Sequence, residues 1–192
     1  MADPKHLDLL QEALQAPERP GPPAWNEWRQ ANPRLSPDLR EASLSGQPLS
    51  GINLRRTRLF RVDFSGADLS GAQLVHAGLR QSNLQGVDLR EADLTGADLR
   101  SADLRSADLR NADLSNADLT QTDLRNADLS GARLHRTVLY MTDFYGAQLN
   151  AQHFLEANLL QARTEGVAVD GRSYAHFDAA ALHDVLASRE QD

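Results

Sequence analysis

Histidines and aspartates are the side chains of this sequence that could do chemistry, as metal ligands or as acids and bases. The 192-residue chain has no cysteine and six histidines: His6, His76, His135, His153, His176 and His183. No HExxH, GxSxG, P-loop or GxGxxG motif accompanies them. The sequence therefore predicts no catalytic residue, no cofactor-binding residue and no metal ligand.

The aspartates are far more numerous and recur at intervals of five residues, as at Asp98, Asp103 and Asp108. Calcium needs six to eight converging oxygens, whereas carboxylates spread over a convex surface do not converge. The net charge of −7 also argues against direct binding of nucleic acid through a basic patch. We therefore expect a non-enzymatic protein without a cofactor.

The aspartates belong to a repeat whose centre is a leucine or phenylalanine at every fifth position from Leu39 to Leu159. In an α-helix five residues advance about 140° beyond a full turn, so the leucines would spiral around every side. In a flat strand, successive leucines would point to opposite faces. Only a chain that turns in every repeat keeps all of them inside, which indicates an all-β solenoid. Glycine or asparagine two residues after many centres, as at Gly66 and Asn111, agrees with these turns.

The run ADLTG, ADLRS, ADLRS, ADLRN, ADLSN and ADLT at residues 92–120 resembles the pentapeptide-repeat family. The resemblance covers about two-thirds of the chain. It implies a right-handed quadrilateral β-helix with four pentapeptides per coil, hence about six coils and a rod roughly 30 Å long. It also implies that the centre residue and the alanine two positions before it point inward, while the residue just before the centre and the two after it point outward or form the corner.

The segments that flank the repeat predict three parts: an N-terminal helical cap (1–36), the β-helix (37–163) and a C-terminal strand and helix (164–192). Helical spacing predicts helices over 4–16, 24–30 and 176–188, and Val167 and Val169 indicate a last irregular strand. Trp25 and Trp28 could plug the open end of the first coil, or they could bind a partner. The first residues lack the features of a signal peptide, so we expect a cytoplasmic protein without a membrane span.

Apolar side chains at outward positions distinguish the last coils from the middle ones. Such exposed residues usually mark a contact, and we expect a homodimer that uses them together with the C-terminal helix. The expected dimerisation residues are Tyr140, Met141, Tyr145, Leu155, Leu160, Phe177, Val185 and Leu186. The C-terminal helix could instead be a cap alone.

Steps of twenty residues align aspartates on two adjacent faces of the rod. The expected partner-binding residues are Asp63, Asp103, Asp123 and Asp143 on one face and Asp68, Asp88, Asp108 and Asp128 on the next. Arginines two positions on, such as Arg90 and Arg105, offset part of this charge. Aspartate before the centre could serve only solubility and turn hydrogen bonds.

The resemblance implies a sharper alternative, because some family members mimic duplex DNA and bind type II topoisomerases such as DNA gyrase, which they protect from inhibitors. This chain departs from those members in its leucine-dominated, uninterrupted coils and its lack of cysteine before the centre. An interaction module with an unrelated protein partner is the second hypothesis.

Overall fold

The computed structural model describes residues 1–15, 22–150, 162–170 and 172–174. Two helices come first, α1 (Pro4–Gln15) and α2 (Pro23–Ala31), close to the helices predicted over 4–16 and 24–30. A repetitive region follows and leads to three short strands, β1 (Gln148–Leu149), β2 (Val167–Val169) and β3 (Arg172–Tyr174). The strand predicted at Val167 and Val169 is confirmed, and the helix predicted over 176–188 lies outside the described residues.

Parallel pairing between residues twenty positions apart builds the repetitive region, as in the series Asp68, Asp88, Asp108 and Asp128. Each pairing uses two backbone hydrogen bonds. The amide of Leu89 donates to the carbonyl oxygen of Asp108 at 2.8 Å, and the amide of Asp108 donates to Val87 at 3.0 Å. Twenty residues are four pentapeptides, and the backbone turns after every centre. The chain therefore winds as a four-sided solenoid, as the resemblance implied.

The core is a stack of centre side chains and of the small residues two positions before them. Leu89 and Leu109 are fully buried, and Ala107 is almost so. The residue before each centre is only partly covered, and the turn residues are mostly exposed, so the inward and outward positions implied by the resemblance are confirmed. Each buried leucine contributes about 2 kcal/mol of transfer free energy, which makes the interior the main source of stability.

The four sides of the solenoid are named here by the first centre of each. Face 1 begins with Leu39, face 2 with Leu44, face 3 with Leu49 and face 4 with Leu54. The second turn residue after a centre has positive φ, for example 60° at Asn111 and 63° at Gly66. Glycine and asparagine adopt this conformation at the least cost, which explains their recurrence at that position.

Thr164 is the first position in the five-residue series that is not leucine or phenylalanine, but the twenty-residue spacing of the coils continues through it. Thr164 occupies the centre position on face 2 and is only 2% exposed. Arg163 pairs with Asp143, and β2 pairs in parallel with β1 in the register of Gln148 with Ala168. β3 then adds to β2 antiparallel. Coil winding therefore continues past the point where the sequence repeat stops.

The first coil has an open end, because no earlier coil is present to pair with its backbone. At Asn53 the side chain of Asn26 accepts a hydrogen bond from the backbone amide at 2.7 Å. The indole N–H of Trp25 donates to the carbonyl oxygen of Asn53 at 2.8 Å. The Asn26 amide group also donates to Gly51 at 3.0 Å. At Asn53, two side chains of α2 thus make the hydrogen bonds that a preceding coil would make.

The start of α1 contacts face 1 in the same way. The amide of Asp3 donates to the carbonyl oxygen of Asp38 at 2.9 Å, and the amide of Asp38 donates to Nδ1 of His6 at 3.3 Å. On face 3 the corresponding residue is Pro48, which has no amide hydrogen to leave unpaired. Leu10, Ala13 and Trp25 cover the apolar interior and are part of the same buried cluster as Leu39.

We predict that Asn26→Ala loosens the first coil, because it leaves the amide of Asn53 and the carbonyl of Gly51 without their partner. The expected loss of unfolding free energy is about 2–3 kcal/mol, measured by urea denaturation. Hydrogen exchange at the Asn53 amide should accelerate. Gln30→Ala, on an exposed position of the same helix, is the control. Unchanged exchange at Asn53 would contradict the role given to Asn26.

Candidate functional site

The aspartates of faces 2 and 3 form two rows along the solenoid, called here the acidic band. Parallel pairing aligns Asp103, Asp123 and Asp143 on face 2, with Asn83 and Asp63 one and two coils before Asp103. On face 3 it aligns Asp68, Asp88, Asp108 and Asp128. Paired residues of neighbouring strands lie about 4.8 Å apart, so the rows present a carboxylate at nearly every coil.

Each carboxylate of the acidic band has a structural task in its own turn. The side chain of Asp63 accepts a hydrogen bond from the amide of Ser65 at 3.0 Å, and that of Asp68 accepts one from Ser70 at 3.0 Å. The other six make the same contact with the residue two positions on. Aspartate is well suited to close such a turn. Closing the turn is therefore part of the role of the repeated aspartate.

Four arginines lie over the band and neutralise much of its charge. Arg90, Arg105, Arg110 and Arg125 form ion pairs with the aspartates two positions before them, at 2.5 to 2.6 Å. Three of them also reach an aspartate of the next coil at 3.7 to 3.9 Å. The compensation predicted from the sequence is confirmed. The guanidinium groups also link neighbouring coils, which the sequence spacing alone did not indicate.

Arginines lower the pKa of three aspartates of the band, Asp88, Asp103 and Asp108. Donation from Arg105 to both carboxylate oxygens lowers the pKa of Asp103 below its ordinary value, against the opposing effect of burial. Arg110 lowers the pKa of Asp108 in the same way. In turn, Asp103 raises the pKa of Arg105. These aspartates therefore stay charged, and the pairs stay formed, well below neutral pH.

The uncompensated charge of the band lies at its N-terminal end. Among the described residues, neither Asp63 nor Asp68 has an arginine or lysine within 4.0 Å, and Asp63 accepts a further hydrogen bond from Asn83. Aspartates also stack on the other faces, as Asp98 with Asp118 on face 1 and Asp93 with Asp113 on face 4. The two rows of the band are thus the longest of several acidic rows, and the twenty-residue spacing in the sequence predicts all of them.

An exposed apolar patch lies near the C-terminal end of the described coils. Tyr140, Met141 and Tyr145 are 40%, 46% and 52% exposed. Val138, which the sequence analysis did not name, is 45% exposed because it occupies the position where the repeat usually has aspartate. The other residues expected in a dimer contact, Leu155, Leu160, Phe177, Val185 and Leu186, lie outside the described residues.

The two tryptophans differ in their availability to a partner. Trp25 is fully buried, and Trp28 is half-buried with its ring centroid 5.1 Å from that of Trp25. The indole N–H of Trp25 is already bonded to the backbone of the first coil. Trp25 therefore has no surface to offer a partner in this conformation.

No group of three or more histidine, aspartate or glutamate side chains in the described ranges is arranged to hold a metal ion. No helix in that part of the chain has the length and apolarity that a membrane crossing requires.

Comparison with known families identifies the repeat. A family profile described as a pentapeptide repeat region matches residues 57–134, and one described as pentapeptide repeats in eight copies matches residues 38–74. None of the curated proteins matches the chain.

Several solved structures are similar to this chain. HetL, a pentapeptide repeat protein involved in heterocyst differentiation regulation from the cyanobacterium Nostoc sp. strain PCC 7120, is 30% identical over 70% of this chain and 76% of its own, with a TM-score of 0.29. A pentapeptide repeat protein from the thylakoid lumen of Arabidopsis thaliana is 33% identical over 58% of this chain and 63% of its own, with a TM-score of 0.40. QnrB1, a plasmid-mediated fluoroquinolone resistance protein, is 20% identical over 77% of this chain and 87% of its own, with a TM-score of 0.38.

We predict that Asp103→Asn makes the protein less sensitive to acid. A carboxyl group whose pKa is lowered by folding stabilises the protein above its unfolded-state pKa, and this contribution is lost as the pH falls from about 4 through the folded-state value. Asparagine keeps an oxygen for the turn but removes the charge. The change at neutral pH should be under about 1 kcal/mol, because both members of the pair are still accessible to water.

The measurement is the free energy of unfolding between pH 7 and pH 2. The acid branch of the Asp103→Asn curve should be shallower than that of the unmodified protein. Arg105→Gln, which removes the other member of the pair, should flatten the same branch. Acid branches that coincide with that of the unmodified protein would show that the pair contributes nothing.

Proposed function

Because the chain belongs to the pentapeptide-repeat family, we propose that it is a non-enzymatic protein-binding β-helix. Its specific target is the DNA-binding surface of a type II topoisomerase such as DNA gyrase. In this proposal the acidic band occupies the place of duplex DNA and protects the enzyme from inhibitors. Such an enzyme acts in the cytoplasm of a bacterium, which is the compartment expected from the sequence.

The observation that carries the proposal is the regular stacking of carboxylates along two adjacent faces of the solenoid. Asp88, Asp108 and Asp128 pair in line on face 3, next to Asp103, Asp123 and Asp143 on face 2. A basic groove that accepts duplex DNA recognises rows of negative charge at fixed intervals. Rows that the backbone holds in register supply such a pattern without an ordering cost on binding.

The charge density of the band sets a limit on this mimicry. Duplex DNA carries about one charge per 1.7 Å of its axis, whereas each row of the band carries about one per 4.8 Å. Arginines offset a large part of that charge. We therefore expect binding that is weaker than that of DNA and strongly dependent on salt, because it relies on electrostatic attraction.

We predict that the protein protects gyrase from a fluoroquinolone in a DNA supercoiling assay, and that Asp108→Arg with Asp128→Arg removes this protection. The double substitution reverses two stacked charges at the middle of face 3. A loss of at least about tenfold in apparent affinity is expected, because like charges facing a basic groove disfavour binding.

Asp98→Arg with Asp118→Arg on face 1 is the matched control. Asp98 and Asp118 pair one coil apart, and Arg100 contacts both at 2.6 and 3.6 Å, much as Arg110 contacts Asp108 and Asp128. The control has the same net charge and breaks the equivalent contacts of Arg100, although Asp108 has an additional pair with Arg90 at 3.7 Å, and it leaves the band intact. Equal loss in both variants, or no effect of the unmodified protein on any type II topoisomerase, would overturn the proposal.

The exposed apolar patch favours a second candidate, an interaction module for an unrelated protein or for a second copy of the chain. Val138 lies on face 1, Tyr140 and Met141 form the corner that follows it, and Tyr145 lies at the next corner of the same coil. All four expose large apolar side chains. Apolar groups of this size are often covered by a partner, and tyrosine is enriched in interfaces.

We predict that Tyr140→Ser with Tyr145→Ser abolishes this association, because it removes the two aromatic side chains. Sedimentation would report a dimer, and capture from an extract of the native cells would report another protein. Ser45→Ala with Ser65→Ala, at the corner between faces 2 and 3 near the other end of the rod, is the control. Recovery of gyrase subunits alone, with unchanged sedimentation of the tyrosine variant, would eliminate this second candidate.

A further inference from the structure

A cleft of about 360 Å³ lies between the end of α2 and the corner that joins face 4 to face 1. Its walls come from both elements, with Arg29, Gln30 and Pro33 on one side and the first two coils on the other. The coil residues are Asn53, Arg55, Arg56, Val75 and His76. This corner lies diagonally across the rod from the corner between faces 2 and 3, where the acidic band lies, so the cleft is a separate feature.

The cleft is basic although the protein as a whole is acidic. Three arginines line it, and none of the residues that line it is aspartate or glutamate. Elsewhere in the described coils most arginines lie within 4.0 Å of a carboxylate. Arg55 and Arg56 have no such partner among the described residues. They depart from the Asp–Arg arrangement of the repeat, because Asn53 stands where aspartate would pair with Arg55.

Arg29 adds a buried charge to one wall. It is only 4% exposed, and its guanidinium group donates to the carbonyl oxygens of Leu35 at 2.9 Å and Arg55 at 2.8 Å. Its Nε has no hydrogen-bond partner in the described structure. Carbonyl oxygens satisfy donors but do not neutralise the charge, and burial of this group lowers its pKa. An anion in the cleft would lower the electrostatic free energy of Arg29.

The backbone around the cleft is fixed before any ligand arrives. The contact from Arg29 holds the carbonyl group of Arg55, and the amide of Arg56 donates to Val75 at 2.9 Å. At the end of α2 the amide of Asn32 donates to the carbonyl oxygens of Trp28 and Arg29, so these acceptors are already used. The arginine side chains therefore extend from a rigid frame, which reduces the entropy lost on binding.

Phosphate is the anion that best suits this arrangement. A carboxylate presents two oxygens in one plane, whereas a phosphate presents oxygens in several directions and forms bidentate contacts with arginine. The charged groups here lie on two facing walls, and their total charge exceeds that of a single carboxylate. We propose that this basic cleft binds the phosphate groups of a small molecule that carries two or more linked phosphates.

Intrinsic fluorescence can locate such binding, because the only two tryptophans, Trp25 and Trp28, both lie on α2. The guanidinium carbon of Arg29 lies 6.0 Å from the centre of the Trp28 ring. Titration of the full-length protein with pyrophosphate at about 0.15 M salt should give a saturable change. Arg55→Gln with Arg56→Gln should weaken the apparent affinity at least about tenfold, since two charge-assisted contacts are lost.

The control is Arg80→Gln with Arg136→Gln, which removes the same charge from two arginines that do not line the cleft. This variant should bind pyrophosphate as the unmodified protein does, and citrate should compete poorly. Three results would each overturn the proposal: no saturable binding by the unmodified protein, equal weakening in both double variants, or citrate binding as strong as that of pyrophosphate. The test does not involve gyrase, so its outcome is independent of the function proposed for the acidic band.

Discussion

Hydrogen bonds between residues twenty positions apart hold each coil of this protein to the next, and the other features of the structure follow from them. The amide of Leu109, for example, donates to Asp128, and the amide of Asp128 donates to Ala107. Such bonds place every centre residue above another, so the interior becomes a continuous column of leucines. They also place every outward residue above another, so a preference at one position of the repeat becomes a row along the rod. Core and surface are therefore consequences of one spacing.

That spacing explains which parts of the structure the sequence could predict. Leucine at every fifth position requires a chain that turns in each repeat, so the inward positions, the turns and the rows of aspartate followed directly. The ends could not be predicted in the same way. Asn26 and Arg29 satisfy backbone groups of the first coil, but nothing in a hydrophobic pattern distinguishes an asparagine that replaces a missing strand from one that faces solvent. Thr164 likewise ended the leucine frame, although its burial and the pairing of Arg163 show that the coil continues.

The aspartates show why a surface pattern is harder to interpret than a core pattern. A buried leucine has one role, whereas Asp108 accepts the amide of Arg110, forms an ion pair with its guanidinium group and faces the solvent. The first two contacts would select aspartate even in a protein with no partner. Their presence does not remove the charge from the surface, but it means that the number of aspartates overstates the negative potential. The rows are most informative for binding where compensation is incomplete, as at Asp63 and Asp68.

The same reasoning gives weight to residues that break the repeat. A position that follows the pattern is explained by folding, because stacking alone favours it. Arg55 and Arg56 do not follow it: the residue before their centre is Asn53, and no carboxylate within the described structure pairs with them. Folding uses the backbone of Arg55, to which Arg29 donates, but it does not require a positive side chain there. In a repetitive protein the departures from the repeat are therefore the better guide to function, and one group of such departures lines the cleft beside α2.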